Sequence, residues 1–401
     1  MLNTDKIRAD FNILKQKDEV VPIYLDSACM SLKPNQVVEA MNDYYLNYSA
    51  CAGRSSHKLG DKVTKKVKEA RGLVAKFINA KEDEIIFTRN TTEGINLLAN
   101  SLNLQKGDIV LISDKEHNSN LVPWLFFRDK IGIIVKIIPS NEDGSFNLDN
   151  FSQLITDAKL VSIVHTSNLD GVTNPAKEIV EIAHKNGVLV CLDSAQSIPH
   201  RKIDVQDLDA DFLVFSGHKM LGPTGTGVFY GKTKLLEKLK PFLVGGDTVL
   251  SSTYDSYEML PVPEKFEAGL QDYAGIIGLG EAVKYLSQFD FKDIAEHELK
   301  LNTYITEELK KIPQIKIIGP ADPVQRSGIV NFYIDSTDMH KFAIMLDEMA
   351  NISIRSGQHC VHSWFNNKKI YNSARISLYL YNTMEEAEIF ITNLNKIFKI
   401  L

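Results

Sequence analysis

The sequence predicts an α/β protein built on a mainly parallel sheet, followed by a smaller α+β region. Three observations carry that expectation. Short apolar runs without polar alternation recur along the chain, and such runs suit strands covered on both faces. Amphipathic helical stretches separate them, the pattern of strands joined by crossover helices. After about Pro263 the texture changes to longer helices mixed with isolated short strands.

The strand-like runs are 84–88, 108–113, 131–138, 160–165, 188–193 and 211–216. A helix over 95–101 opens behind Thr91 and Thr92. The clearest intervening helix covers 176–186, where Ile179, Val180 and Ala183 share one stripe and Gly187 stands at the C-terminal end. Further on, 266–289 reads as a Gly-rich turn leading a long helix. Helices are then expected over 293–312, 339–349 and 384–398, and strands over 315–318, 329–334, 352–355 and 374–377. This pattern places a large domain at 21–288 and a smaller one at 289–401, with residues 1–20 packing on the smaller.

At 401 residues the chain exceeds what a single core usually serves. Its 44% hydrophobic and 24% charged residues are ordinary for a globular protein, and a net charge of -6 supplies no basic surface for nucleic acid. The charged start lacks the apolar core of a secretory signal, and no apolar run is long enough to span a bilayer. A cytoplasmic protein without membrane contact is expected. The 4 cysteines, Cys29, Cys51, Cys191 and Cys360, show no C-x-x-C spacing, so neither zinc nor a redox pair is signalled. Cys191, inside an apolar run, reads as a buried hydrophobe.

Polar residues gather where the strand-like runs end, the edge at which open parallel sheets bind ligands. Thr91 and Thr92 at a helix start suit a phosphate, or serve as ordinary caps. Asp193 closes a buried run and needs a partner such as a protonated ring nitrogen, unless it caps the next helix. Lys219 follows a buried run within Ser216-Gly217-His218-Lys219 and precedes a Gly-Pro-Thr-Gly turn. A lysine so placed approaches a ligand closely and can bond an aldehyde through its amine. Cys360 stands near Arg355 and His359, whose positive charge would favour thiolate. Arg355 and Arg375 offer planar forks for a carboxylate, or form structural ion pairs.

From about Tyr24 (YLDSA) to Asn382 (YNTMEE), nearly the whole chain, the sequence resembles the group II cysteine desulfurases. These are the Suf-type and selenocysteine-lyase-like branch of the class V aminotransferases. The resemblance rests on TRNTTEGINLLA, EHNSNLVPW, HTSNLDG, LDSAQS, FSGHKMLGPTGTG, FEAGLQDYAGIIGLG, RSGQHC and ARISLYLYNT. It implies a pyridoxal-phosphate transferase of fold type I with a seven-stranded sheet in the large domain, working as a homodimer on L-cysteine or L-selenocysteine. Pyridoxal 5′-phosphate would be bonded by Lys219, with Asp193 at its ring nitrogen and His117 stacked on the ring. Gln196 and Asn168 would lie near the ring oxygen and substrate, and Thr91, Thr92, Ser216 and His218 around the phosphate. Arg375 and Arg355 would hold the substrate carboxylate. Cys360 would take the sulfur as a persulfide for a sulfur-acceptor protein, as in iron–sulfur cluster assembly.

The chain also departs from that pattern. Asn118 and Gln358 stand where the family has histidines, and Leu270 replaces a threonine that reaches the partner subunit's phosphate. Cys29 and Cys51 are additions in turns near the expected site. Selenocysteine lyase, a kynureninase-like hydrolase and a non-catalytic sulfur carrier are the competing readings. Retention of Lys219, Asp193 and Cys360 argues against the carrier, and the Cys360 setting argues against the hydrolase.

Overall fold

A computed structural model describes residues 2–15 and 21–399. Its main sheet has seven strands in the order Ile85–Thr88, Gly227–Gly231, Phe212–Ser216, Leu189–Asp193, Ala158–Val164, Ile109–Ser113, Ile134–Ile138. The last five pair in parallel, and Gly227–Gly231 runs antiparallel to both its neighbours. Alternation along the strands explains why apolar runs were required. Val110, Ile112, Cys191, Phe212 and Val214 face one core, with Ile95, Leu98 and Trp124 from the helices Thr91–Ser101 and Asn118–Ile131. Leu111, Leu192, Leu213 and Phe215 face another, with Val37, Val74 and Leu279 from the helices Asn35–Asn47, Lys58–Phe77 and Tyr273–Leu286.

A second, antiparallel sheet follows in the order Ile315–Ile318, Ile329–Ile334, Ser373–Ser377, Arg355–Gly357. The helices Phe291–Lys310, Met339–Ala350 and Met384–Phe398 cover it through Leu301, Ile305, Phe342, Leu346, Phe390 and Leu394. At the N-terminus, Phe11 is buried between the rings of Tyr285 and Tyr381, at centroid distances of 6.1 and 5.1 Å. Arg8 pairs with Glu386 at 2.6 Å. Of the N-terminal segment 1–20, residues 1 and 16–20 lie outside the described residues. Among the described residues, no helix is long and apolar enough to cross a membrane.

Several expected boundaries move for local reasons. Over 266–289 the helix itself starts only at Tyr273, where Asp272 caps it by accepting from the Gly275 N–H at 2.9 Å. Gly269, at φ 75°, interrupts the chain before that. The strand expected over 131–138 begins at Ile134, because Gly132 ends the preceding helix in the left-handed region at φ 82°. That helix, Asn118–Ile131, contains Pro123. Proline reads in a sequence as a helix break. The exposed hairpin Val249–Ser252 with Tyr257–Met259 also left no clear apolar signal.

The parallel strands end along one edge, where Asp193 closes its strand and the loops leaving the others carry His117, Asn168 and Lys219. The second sheet is fastened beside that edge. Asn331 Nδ2 donates to Leu169 O at 2.8 Å and Ser327 N to Gly171 O at 2.9 Å.

Candidate active site

Asp193 is the last residue of a central strand and is buried. One carboxylate oxygen accepts from Ala195 N at 3.0 Å. Burial pushes its carboxyl upward, and the nearby Lys219 charge opposes that. Lys219 closes the turn Gly217–Lys219 after the next strand. Its amine is held below the ordinary lysine range, first by burial; Arg375 adds to this, while Asp193, Cys29 and Cys360 oppose it. A Cβ on Gly217 would stand 2.3 Å from Thr226 Oγ1, and one on Gly227 would stand 2.6 Å from Asn90 Cα. Glycine at both positions lets the turn press against its neighbours and fixes where Lys219 emerges.

The helix Thr91–Ser101 begins beside this turn. Thr91 N and Thr91 Oγ1 both bond Ser216 Oγ, at 2.9 and 2.8 Å. Glu93 N goes to the Asn90 side chain and Gly94 N to Asn90 O. Among the described residues no acceptor takes the Thr92 N–H, and Thr92 Oγ1 meets Ser119 Oγ at 2.7 Å. Free first-turn N–H with adjacent hydroxyls is an anion cradle. His117 caps the helix Asn118–Ile131, its Nδ1 accepting from Ser119 N at 3.0 Å. Sequence reasoning passed over Glu116, which braces this loop. Its carboxylate accepts from Ser113 Oγ at 2.5 Å, Val164 N at 3.0 Å and Asn120 Nδ2 at 2.7 Å. A carboxylate inside a DKEH stretch gave no hint that it points inward.

The second sheet supplies the rest. Arg375 is buried; Nη1 donates to Asn168 O at 3.1 Å, Nη2 reaches Asp26 at 3.2 Å, and Nε has no partner among the described residues. Asp26, within YLDSA, was not singled out from sequence. Asn168 Nδ2 donates to His359 O at 2.8 Å, while its buried Oδ1 has no partner among the described residues. Gln196 Nε2 donates to Ala28 O at 2.6 Å. His359 and Cys360 adopt φ of 48° and 59°, a left-handed pair that costs non-glycine residues energy. Asn118 N to Cys360 O at 2.7 Å and Val361 N to Gln358 O at 2.8 Å hold the turn.

The geometry brings Thr91, Thr92, His117, Asn168, Asp193, Gln196, Ser216, His218, Lys219, Arg355, Cys360 and Arg375 around one cavity of about 260 Å³. It corrects the expected cationic setting of Cys360. His359 is held neutral, far below its ordinary value, by burial and then by Arg375 and Arg355, and its Nε2 bonds Ser373 Oγ at 2.8 Å. Arg355 Nη1 donates to Cys29 Sγ at 3.1 Å. Cys51 lies apart, against Tyr273 OH at 3.8 Å. Cys191 is fully buried, and burial pushes its thiol up.

The chain's groups fit pyridoxal 5′-phosphate on their own chemistry. The Thr92 N–H and its surrounding hydroxyls suit a phosphate. The Asp193 carboxylate suits a ring N–H, and a neutral His117 suits a ring face. Lys219 presents an amine with a lowered proton affinity. The unpartnered Arg375 Nε and Asn168 Oδ1 leave buried hydrogen-bonding capacity for a polar ligand.

Residues 23–390 match the family model described as aminotransferase class-V. A probable cysteine desulfurase of Synechocystis sp. is 41% identical over 396 residues, covering 97% of this chain and 94% of that relative. An apo cysteine desulfurase structure from Thermococcus onnurineus NA1 has a TM-score of 0.95 at 35% identity, covering 100% of this chain and 99% of that one. The cysteine desulfurase CsdA of Escherichia coli, in an S-sulfonic acid form, has a TM-score of 0.92 at 32% identity with both chains fully covered.

The buried histidines make a pH prediction. Burial is the main cause that lowers His117 and His165 to about 3 and His218 to about 4. A histidine depressed in the fold takes up its proton on unfolding once pH is below about 6.5, so stability is complete above that value and falls on acidification. For a fully buried group such as His165 the slope is about 1.4 kcal/mol per pH unit. The thermal midpoint of the ligand-free protein should fall between pH 6.5 and 4, and His165→Gln should flatten that fall. An identical slope in the variant means His165 does not contribute.

Proposed function

The chain belongs to the class V aminotransferase family, and on that premise we propose that it is a pyridoxal 5′-phosphate-dependent cysteine desulfurase. It converts L-cysteine to L-alanine and leaves the sulfur as a persulfide on Cys360. The observation that carries this reading is the meeting, in one cavity, of a lysine of lowered proton affinity, a buried aspartate, an unpaired arginine donor and a half-buried thiol.

When bound, pyridoxal 5′-phosphate supplies an aldehyde for amine exchange and an electron-withdrawing ring for the substrate carbons. Lys219 would hold the cofactor's aldehyde carbon, and its amine, of lowered proton affinity, would move protons at the substrate carbons. Asp193 would be the charge partner of the ring nitrogen, and a neutral His117 would lie against the ring without adding charge. Thr91, Thr92, Ser216 and His218 would hold the phosphate, and Asn168 and Gln196 would orient the ring oxygen and substrate. Arg375, with Arg355, holds the substrate carboxylate and so fixes the sulfur near Cys360. The Cys360 thiolate attacks that sulfur; the S–S bond forms as the carbon–sulfur bond breaks. The electron pair stays on carbon, which takes a proton, and alanine leaves.

The same reading includes a large domain at 21–288, a smaller one at 289–401 and an N-terminal segment, 1–20, on the latter. It includes a homodimer, supported by the exposed Leu250, Tyr254, Tyr257 and Leu270 around the hairpin. Leu270 is 71% exposed and offers no hydroxyl to a neighbouring phosphate. A sulfur-acceptor protein, the supply of sulfur for iron–sulfur clusters and a cytoplasmic setting complete the proposal.

Two substitutions separate cofactor from sulfur chemistry. Lys219→Ala should lose the visible absorbance of the lysine-bound cofactor and all turnover. An unchanged spectrum would remove Lys219 from its role. Cys360→Ala should keep that absorbance and still respond spectrally to L-cysteine, while alanine formation falls by about two orders of magnitude or more with no nucleophile present. Full alanine production in that variant contradicts the assignment.

A further inference from the structure

We propose that Cys29 is a second sulfur-accepting thiol within the same cavity, loaded by transfer from Cys360. The inference rests on the reading of Cys360 as the first acceptor and goes beyond it. Cys29 lies on the turn after the short strand Ile23–Tyr24, with its N–H on Asp26 O at 3.0 Å. It is half-buried and lines the cavity together with Cys360, Lys219 and Arg375. Among the described residues the other two cysteines do not line it. Cys191 is sealed inside the sheet and Cys51 rests near Tyr273.

Two further observations point to a sulfur anion at Cys29. Arg355 Nη1, from the strand that precedes the Cys360 turn, donates to Cys29 Sγ at 3.1 Å. Arg375 pairs with Arg355 across the sheet, lines the same space, is only 3% exposed and has an Nε with no partner among the described residues. A packing cysteine needs neither an arginine donor nor a cavity beside it. The two thiols also bear on a common point, since both act electrostatically on the Lys219 amine.

The transfer balances without any outside reagent. The Cys29 thiolate attacks the outer sulfur of the Cys360 persulfide. A new bond to Cys29 forms as the bond to Cys360 breaks, and Cys360 leaves as a thiolate. The moved sulfur keeps its oxidation level, its proton travels with it, and one thiolate replaces another. Cys360 is then free for a second molecule of L-cysteine before any acceptor protein arrives. Asp26 and Arg375, bonded beside the Cys29 turn, keep both sulfur sites within one enclosure.

The test uses the holoenzyme, excess L-cysteine, no reductant and no sulfur acceptor. Alanine is counted until release stalls, then free sulfurs are alkylated and the peptides weighed. Wild type should release about two alanines per chain in the burst and carry added sulfur on both the Cys29 and the Cys360 peptides. Cys29→Ser, with its cofactor absorbance checked, should stop at about one. In Cys360→Ala the Cys29 peptide should stay bare. A loaded Cys360 beside a bare Cys29 in wild type overturns the proposal and leaves the Cys360 reading standing. A loaded Cys29 in Cys360→Ala overturns the order of transfer. Alanine release with Cys360 bare in wild type would instead strike down the underlying reading.

Discussion

The Arg375 guanidinium is buried where the second sheet meets the ligand edge of the first, and much of the site is arranged around it. Its strand pairs with Ile329–Ile334 on one side and with Arg355–Gly357 on the other. From there it reaches Asn168 O, on a loop of the parallel sheet, and Asp26, on the turn that carries Cys29. Burying a charge with a single carboxylate at 3.2 Å is costly, and the unpartnered Nε adds to that cost. A molecule that bears this arrangement without a ligand is suited to receive one, and a carboxylate is the complement of a guanidinium fork. The same contacts bring the Cys360 turn beside Lys219, because Asn168 bonds both Arg375 and His359 O.

Charge elsewhere in the cavity is kept low by burial. His117, His218 and His359 are all depressed and neutral, and Lys219 is held below its ordinary range. The arginines therefore dominate the positive potential. This puts the attraction for an anion at Arg355 and Arg375 and leaves Lys219 able to present a neutral amine. Asp193 supplies the opposing charge at the other side, at the end of a strand whose apolar residues fix its position.

Much of this was legible in the sequence because the apolar strands dictate where their ends lie. Asp193, Lys219 and Asn168 each follow a buried run, so spacing alone located them on one edge of a parallel sheet. What remained hidden depends on partners distant in the chain. Glu116 looks like a solvated charge and instead braces the His117 loop from within. His359 reads as a cation beside a thiol, yet burial removes its charge. Arg355 reads as a neighbour of Cys360, yet its hydrogen bond goes to Cys29, 326 residues earlier. Pro123 concealed a helix that tertiary packing through Trp124 and Phe127 sustains.

The account stands most directly on Arg375 as the carboxylate anchor, and Arg375→Lys examines that point. Lysine keeps a positive charge but loses the planar fork. With the cofactor absorbance and thermal midpoint checked first, steady-state kinetics with L-cysteine should show KM raised and kcat/KM lowered by about two orders of magnitude, the worth of a buried bidentate carboxylate contact. Wild-type KM and kcat/KM in that variant would contradict the account, because the substrate would then be held by something other than the buried guanidinium.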